Sequence, residues 1–153
     1  MRPPVCLRYA LWTHAAHVSP KYSALTPHFY ARARKYAEQD ELRGFGESMI
    51  TVTHCQCWSV IASFEFKMMY FPRAWMSVGR AGRLALLMSL NSQDRAAIDV
   101  KQALPPPRDW TEREERRRTF WLAFCQDRYA SVGTGWPMMF DERDVSNQEV
   151  NLQ

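Results

Sequence analysis

The cysteine and histidine residues of the sequence are the first candidates for chemistry. Cys55 and Cys57 form a Cys-X-Cys motif directly after His54. On a helix each residue advances by about 100°, so these two thiols point about 200° apart. One tetrahedral ion cannot be bound by both. His14 and His17 lie three residues apart but have no carboxylate or thiol near them in sequence. We therefore predict no metal ligand and no cofactor in this chain.

Three charged residues fall on or beside apolar helix faces, where catalytic acids and buried ion pairs both occur. Glu65 lies on the apolar arc of the third predicted helix and Arg128 on that of the fifth. Arg83 lies at the edge of the main face of the fourth. An unpaired charge in such surroundings costs several kcal/mol. We predict that Glu65 pairs with Arg83 or Arg128 across a helix contact and sets the helix register without acting as a catalytic acid.

No other residue group predicts an active site or a DNA contact. Neither Cys57 nor Cys125 lies on a recognisable catalytic turn. The Gly44-Phe45-Gly46 segment lacks the lysine and the strand of a phosphate-binding loop. Glutamates are interleaved with the arginines of residues 113–118, which favours a solvated helix start over a DNA-binding patch. We predict no catalytic residue and no DNA-binding residue here, and hence a protein that is not an enzyme.

Length and composition indicate one packed domain. The chain has 153 residues, a formal net charge of +4 and 46% hydrophobic residues. These values are typical of a folded domain with its own core. No apolar run approaches the roughly 18 residues that a membrane helix requires, so we expect no membrane partner.

The hydrophobic spacing predicts an all-α fold of about five helices in an antiparallel array. Thr26 is the expected N-cap of the second helix, with Pro27 as its first residue. Arg32, Arg34 and Lys35 are expected to face water. The five predicted helices span residues 3–17, 26–40, 48–70, 72–90 and 111–131.

The fourth and fifth helices carry further local signals. Gly79 and Gly82 share one face, where they would let another helix approach closely. Residues 91–110 form a long connection, and loops of this length are uncommon unless they are functional. Thr111 and Glu114 are predicted to form a capping box that starts the fifth helix.

The same region carries several motifs at characteristic intervals. Together they resemble the middle homology region of fungal Zn2Cys6 transcription factors, closest to the branch that contains xylanolytic activators. The signature residues are Trp75, Gly79, Arg80, Arg83, Asp127, Arg128, Gly135, Pro137 and Asp141.

The resemblance implies a regulatory domain over residues 3–145, followed by a divergent tail at 146–153. It implies that promoter DNA and zinc are bound by an N-terminal zinc cluster absent from this chain. It further implies a nuclear protein that controls RNA polymerase II transcription of metabolic genes, with carbohydrate utilisation as one case. Its partners would be a co-regulator protein, a metabolite inducer or a second copy in a homodimer.

Two interpretations of the whole chain remain open. The first is this regulatory domain, present as a fragment of a larger helical domain. The alternative is a stand-alone helical interaction module that derives from such a factor and does not bind DNA.

Overall fold

The computed structural model describes residues 2–92 and 104–141, which form five α-helices and three short 3-10 turns. Within these ranges there is no strand, and the predicted all-α fold is confirmed. No described helix is both long and apolar enough to cross a bilayer. The predicted tail at 146–153 lies outside the described residues. The helices are α1 (Val5–Val18), α2 (Thr26–Glu41), α3 (Val52–Lys67), α4 (Phe71–Leu87) and α5 (Trp110–Thr134).

The helices pack as two hairpins and a covering helix. α1 packs against α2, and α3 packs against α4, where Met69 with a φ of 58° reverses the chain within a short turn. α5 lies across α4 and α3, while α1 also contacts α3. Trp58 and Ile61 of α3 and Phe120 of α5 are almost completely buried at the centre. α3 therefore forms the middle of the array and contacts the other four helices.

Short 3-10 turns precede α2 and α3 and make the starts of these helices differ from the predicted ones. A 3-10 turn, Ser23–Leu25, leads directly into α2, so Thr26 is the first helical residue and its Oγ1 is buried without a hydrogen-bond partner. A second turn, Glu47–Met49, separates the predicted start of α3 from the observed one. Thr51 caps α3 by accepting a 3.2 Å hydrogen bond from the His54 amide.

α5 begins one residue before the predicted cap. Asp109 Oδ1 accepts the Glu112 amide at 2.7 Å, so Asp109, not Thr111, is the N-cap. Glu112 in turn accepts the backbone N–H of Arg108 at 3.0 Å and binds Arg116 at 2.7 Å. Hydrogen bonds from Arg108 and Arg116 lower the pKa of Glu112 to about 2. The helix continues to Thr134 and ends at Gly135, whose φ of 73° suits a glycine.

The position of this cap gives a test of the fold. Replacing Asp109→Ala should lower the free energy of unfolding by about 1 kcal/mol, because the Glu112 amide loses its acceptor. Thr111→Ala should change it by less than about 0.5 kcal/mol. Urea denaturation of the two variants measures the difference, and a larger loss for Thr111→Ala would contradict the observed cap.

Candidate functional site

The carboxylate of Glu65 is completely buried and joins three helices. It accepts hydrogen bonds from Tyr30 Oη at 2.6 Å and Arg34 Nη1 at 2.6 Å, both on α2. Its other oxygen accepts from Ser77 Oγ on α4 at 2.7 Å. The described contacts thus satisfy the buried charge with one cation and two hydroxyl groups, which is what a structural carboxylate in a protein interior requires.

The predicted partners of Glu65 were wrong. Arg83 is exposed on α4, and Arg128 binds the carbonyl oxygen of Phe140 at 3.1 Å. Arg34, which was expected to face water, reaches across from α2 instead. Helix periodicity places Glu65 on a buried face but contains no information on which helix covers that face. On α2, polar side chains recur at i, i+4 spacing in Tyr30, Arg34 and Glu38. This spacing was the only local signal that could have identified the α2 partners of Glu65.

The environment of this charge cluster raises the pKa of both Tyr30 and Arg34. Burial and the hydrogen bond to Glu65 raise the pKa of Tyr30. Burial opposes the positive charge of Arg34, but hydrogen bonds to Glu38, Tyr30 and Glu65 raise its pKa above the usual value. Arg34 and Arg80 also lie near the Trp58 ring, 5.7 and 4.4 Å from its centroid. The cluster therefore holds α2, α3 and α4 together without a reactive group.

Asp127 and Arg128 hold the chain after α5 against α4. We call residues 136–141 the strap. Asp127 is buried, and its carboxylate accepts the backbone N–H groups of Met139 and Phe140 at 3.0–3.1 Å. Arg128 contacts the Met138 sulfur and lies 4.7 Å from the Phe124 ring centroid. The two side chains thus position the strap through its backbone and through Met138.

Gly82 is where the strap contacts α4. A Cβ at this position would overlap the terminal methyl of Met139 and lie 3.1 Å from the Phe140 ring. A Cβ at Gly79 would have nothing within 4 Å. The prediction that both glycines admit another helix was therefore wrong: one admits the strap, and the other faces open space.

A groove of about 290 Å³ lies between α4 and the strap. Its wall combines apolar and aromatic side chains with two arginines and one buried carboxylate. We refer to it as the strap groove, and its lining residues are Trp75, Met76, Gly79, Arg80, Arg83, Asp127, Pro137, Met138 and Met139. A larger depression of about 470 Å³ lies between α3 and the start of α5, where charged side chains of α5 form much of its edge.

The predicted signature residues come together at this groove. Six of them line it, namely Trp75, Gly79, Arg80, Arg83, Asp127 and Pro137. Arg128 binds the strap and Gly135 ends the helix that leads into it, while Asp141 follows Phe140 at the edge of the described residues. Residues that are distant in sequence therefore form one surface.

The cysteines point in different directions, as expected for a helical Cys-X-Cys segment. Cys55 donates a hydrogen bond to the Ala81 carbonyl oxygen at 3.2 Å, and burial raises the pKa of its thiol to about 12. Cys57 faces Cys6 on α1, and the hydrogen bond between the two thiols, together with burial, raises the pKa of Cys57. Both α3 thiols are thus buried and favour the protonated form, whereas a nucleophilic cysteine is an accessible thiolate.

The fold and the strap groove define an all-α domain built around a buried charge cluster, with a groove between α4 and the strap on one side. The chain matches the fungal specific transcription factor domain over residues 7–152 and belongs to that family. The match extends into the segment that sequence reasoning separated as a tail. The family consists of transcriptional regulators, and this confirms the prediction that the chain is not an enzyme.

Several curated relatives are fungal transcriptional activators. The chain is 38% identical over 144 residues to the pigment biosynthesis transcriptional activator pigB of Monascus ruber, covering 93% of this chain and 26% of the relative. It is 36% identical over 141 residues to the citrinin biosynthesis transcriptional activator ctnR of Monascus purpureus, covering 92% and 24%. The chain thus spans about a quarter of the length of these relatives. No solved structure matches.

The role of the buried carboxylate can be tested with a matched pair of glutamates that bind the same arginine. Glu65→Gln should lower the free energy of unfolding by about 3 kcal/mol, because the neutral amide removes the negative charge that pairs with Arg34 and places an NH₂ group at one of the two acceptor oxygens. Glu38→Gln, at a side chain that is 43% exposed, should cost less than about 1 kcal/mol. Chemical denaturation measures both values, and equal losses would contradict a structural role for Glu65.

The two glycines of α4 provide a second matched test. Gly79→Ala should raise the free energy of unfolding by about 0.5–1 kcal/mol through helix propensity. Gly82→Ala should be less stable than Gly79→Ala by about 1 kcal/mol or more, because its methyl displaces the strap. Hydrogen exchange of the Met139 and Phe140 amides should accelerate in Gly82→Ala alone. Unchanged exchange with equal stability would show that the strap is not held against Gly82.

Proposed function

We propose that this chain is the regulatory domain of a nuclear fungal transcription factor whose DNA reader is a zinc cluster outside the chain. Membership of the fungal specific transcription factor domain family supports this proposal. Part of the densest basic run of the chain, at the start of α5, is paired with acid, because Arg117 and Arg118 both bind Glu114. We expect the isolated chain to bind DNA weakly and without sequence preference.

The strap groove is the proposed regulatory site. The observation that carries this assignment is the gathering of six signature residues on its wall. Trp75, Met76 and Met138 supply apolar contacts, and Arg83 is an exposed cation at the same surface. This lining suits a small aromatic or apolar compound that carries an acidic group. A segment of a co-regulator protein that carries apolar and acidic side chains would suit the same lining.

The proposed mechanism is a shift between two positions of the strap. A ligand changes such an equilibrium only if it binds one arrangement more tightly than the other. A ligand in the groove changes the distance of Met138 and Met139 from α4. The hydrogen bonds of Asp127 to the strap transmit this displacement to α5. The surface presented to the rest of the factor then differs between the bound and free states.

The target genes are proposed from the relatives. Their names refer to pigment and citrinin biosynthesis, whereas the sequence resemblance suggested carbohydrate utilisation as one case. We propose that the factor acts on RNA polymerase II promoters of a biosynthetic gene cluster, as a monomer or homodimer. Carbohydrate genes receive no support from these relatives.

A reporter assay tests the regulatory role. The chain is fused between a heterologous DNA-binding domain and an activation domain in a fungal host. Gly79→Leu fills the groove and should change reporter output by about fivefold or more, the lower range of allosteric coupling. Gly133→Leu is the matched control, because a Cβ at this helical glycine also has nothing within 4 Å, and the residue lies away from the groove.

The outcomes separate the two functional interpretations. Equal output from both variants would contradict a regulatory role of the groove. Interference of the unfused chain with the intact factor, independent of either substitution, would favour the alternative of a stand-alone interaction module.

A further inference from the structure

Three helix ends bring a thiol, a carboxylate and an imidazole together, and none of these three residues lines the strap groove. Cys6 lies in the first turn of α1, Asp40 in the last turn of α2 and His54 in the first turn of α3. One ligand atom from each of these residues lies within 4.8 Å of the other two. This convergence involves none of the signature residues and has no part in the proposed regulation.

The burial of the three side chains differs in a way that suits metal binding. Cys6 is completely buried and His54 is 2% exposed, whereas the Asp40 side chain is 24% exposed. An ion therefore has a path from solvent past the carboxylate to two ligands that are shielded from water. Complete burial of the Cys6 sulfur argues against the alternative use of such a trio, a nucleophilic thiolate that must reach a substrate.

The imidazole of His54 makes long contacts in its pocket. Within the described residues, its Nε2 lies 3.5 Å from the Ala37 carbonyl oxygen and 3.8 Å from Asp40 Oδ2. Buried polar groups normally have a partner at hydrogen-bonding distance, about 2.9 Å. The hydrogen bond to Ala37 is thus long, and the imidazole lies beside a carboxylate and a thiol, two groups that bind metals together with histidine.

We propose that Cys6, Asp40 and His54 form a zinc-binding site. Sequence spacing predicted no metal ligand, because these residues come from three segments that only the fold brings together. The S, N, O donor set matches Zn²⁺, whereas Ca²⁺ and Mg²⁺ prefer oxygen ligands alone. Tetrahedral zinc requires its ligand atoms to lie roughly 3.3–3.7 Å apart, so the observed group must contract by about 1 Å. The partly exposed Asp40 side chain has room to rotate toward the other two ligands, and binding of the ion would provide the remaining contraction.

Cys57 stands next to this site. It lies about one helical turn after His54, and its thiol is hydrogen-bonded to that of Cys6. The zinc would thus be bound by three protein ligands, with the fourth position taken by Cys57 or by water. Binding releases the proton of the Cys6 thiol to solvent and ties α1, α2 and α3 together at one end.

Cobalt provides a direct probe of this geometry. The full-length, untagged chain is purified under reducing conditions, treated with a chelator, and titrated with Co²⁺ and then Zn²⁺. The wild-type protein should bind about one equivalent, with visible d–d bands and a near-ultraviolet thiolate-to-cobalt charge-transfer band that Zn²⁺ removes. A second thiolate ligand, Cys57, would increase the charge-transfer intensity.

A pair of buried cysteines supplies the matched control. Cys6→Ala should lose the charge-transfer band, whereas Cys55→Ala, an equally buried thiol that faces α4, should retain it. Asp40→Asn changes a partly exposed side chain and should weaken Zn²⁺ binding at least about tenfold while the circular dichroism stays helical. If Cys6→Ala does not fold, the proposal is tested by the Zn²⁺ affinities of Asp40→Asn and Cys55→Ala, of which only the first should be weakened.

Two results would overturn the proposal. One is a folded, reduced wild-type chain that shows no thiolate-to-cobalt band. The other is equal Zn²⁺ affinity in the wild-type and Asp40→Asn proteins, which would leave the trio as an ordinary set of buried polar side chains.

Discussion

The buried carboxylate of Glu65 is the constraint on which the arrangement of the helices depends. A charge at the centre of the array is tolerated only where donors surround it, and these donors lie on two other helices. Any rotation of α2 or α4 relative to α3 would remove Arg34, Tyr30 or Ser77 and leave the charge unsatisfied. Apolar packing alone tolerates such slips, because many apolar surfaces fit one another about equally well. The cluster thus selects one register among several.

The strap groove depends on that register. α4 is held by Ser77 on one face, and another part of its surface presents Gly79 and Gly82 to the groove and the strap. Asp127 extends the same principle to the periphery, since a buried carboxylate again fixes a segment, here through backbone N–H groups. The strap is therefore attached to the rest of the domain by the Asp127 hydrogen bonds and by the buried ring of Phe140, which contacts Phe120 and Phe124.

The contrast between the two candidate sites is consistent with separate roles. The strap groove combines apolar side chains with arginines, which suits an organic anion or an acidic peptide. The helix ends around His54 combine sulfur, nitrogen and oxygen, which suits a soft divalent ion. One site changes the position of the strap, and the other stabilises the packing of α1 to α3. The two proposals depend on different residues, so the failure of one would not affect the other.

The sequence by itself determined the number and order of the helices, the burial of Glu65 and the family. These properties follow from local periodicity, proline positions and a set of motifs. Tertiary structure decided the partners of Glu65, the cap at Asp109, the role of Gly82 and the meeting of Cys6, Asp40 and His54. Periodicity reveals which face of a helix is buried, but the helix that covers this face is selected by packing between distant segments. Arg34 shows the difference: locally it has the features of a solvent-facing residue, and only the approach of α3 makes it the partner of a buried charge.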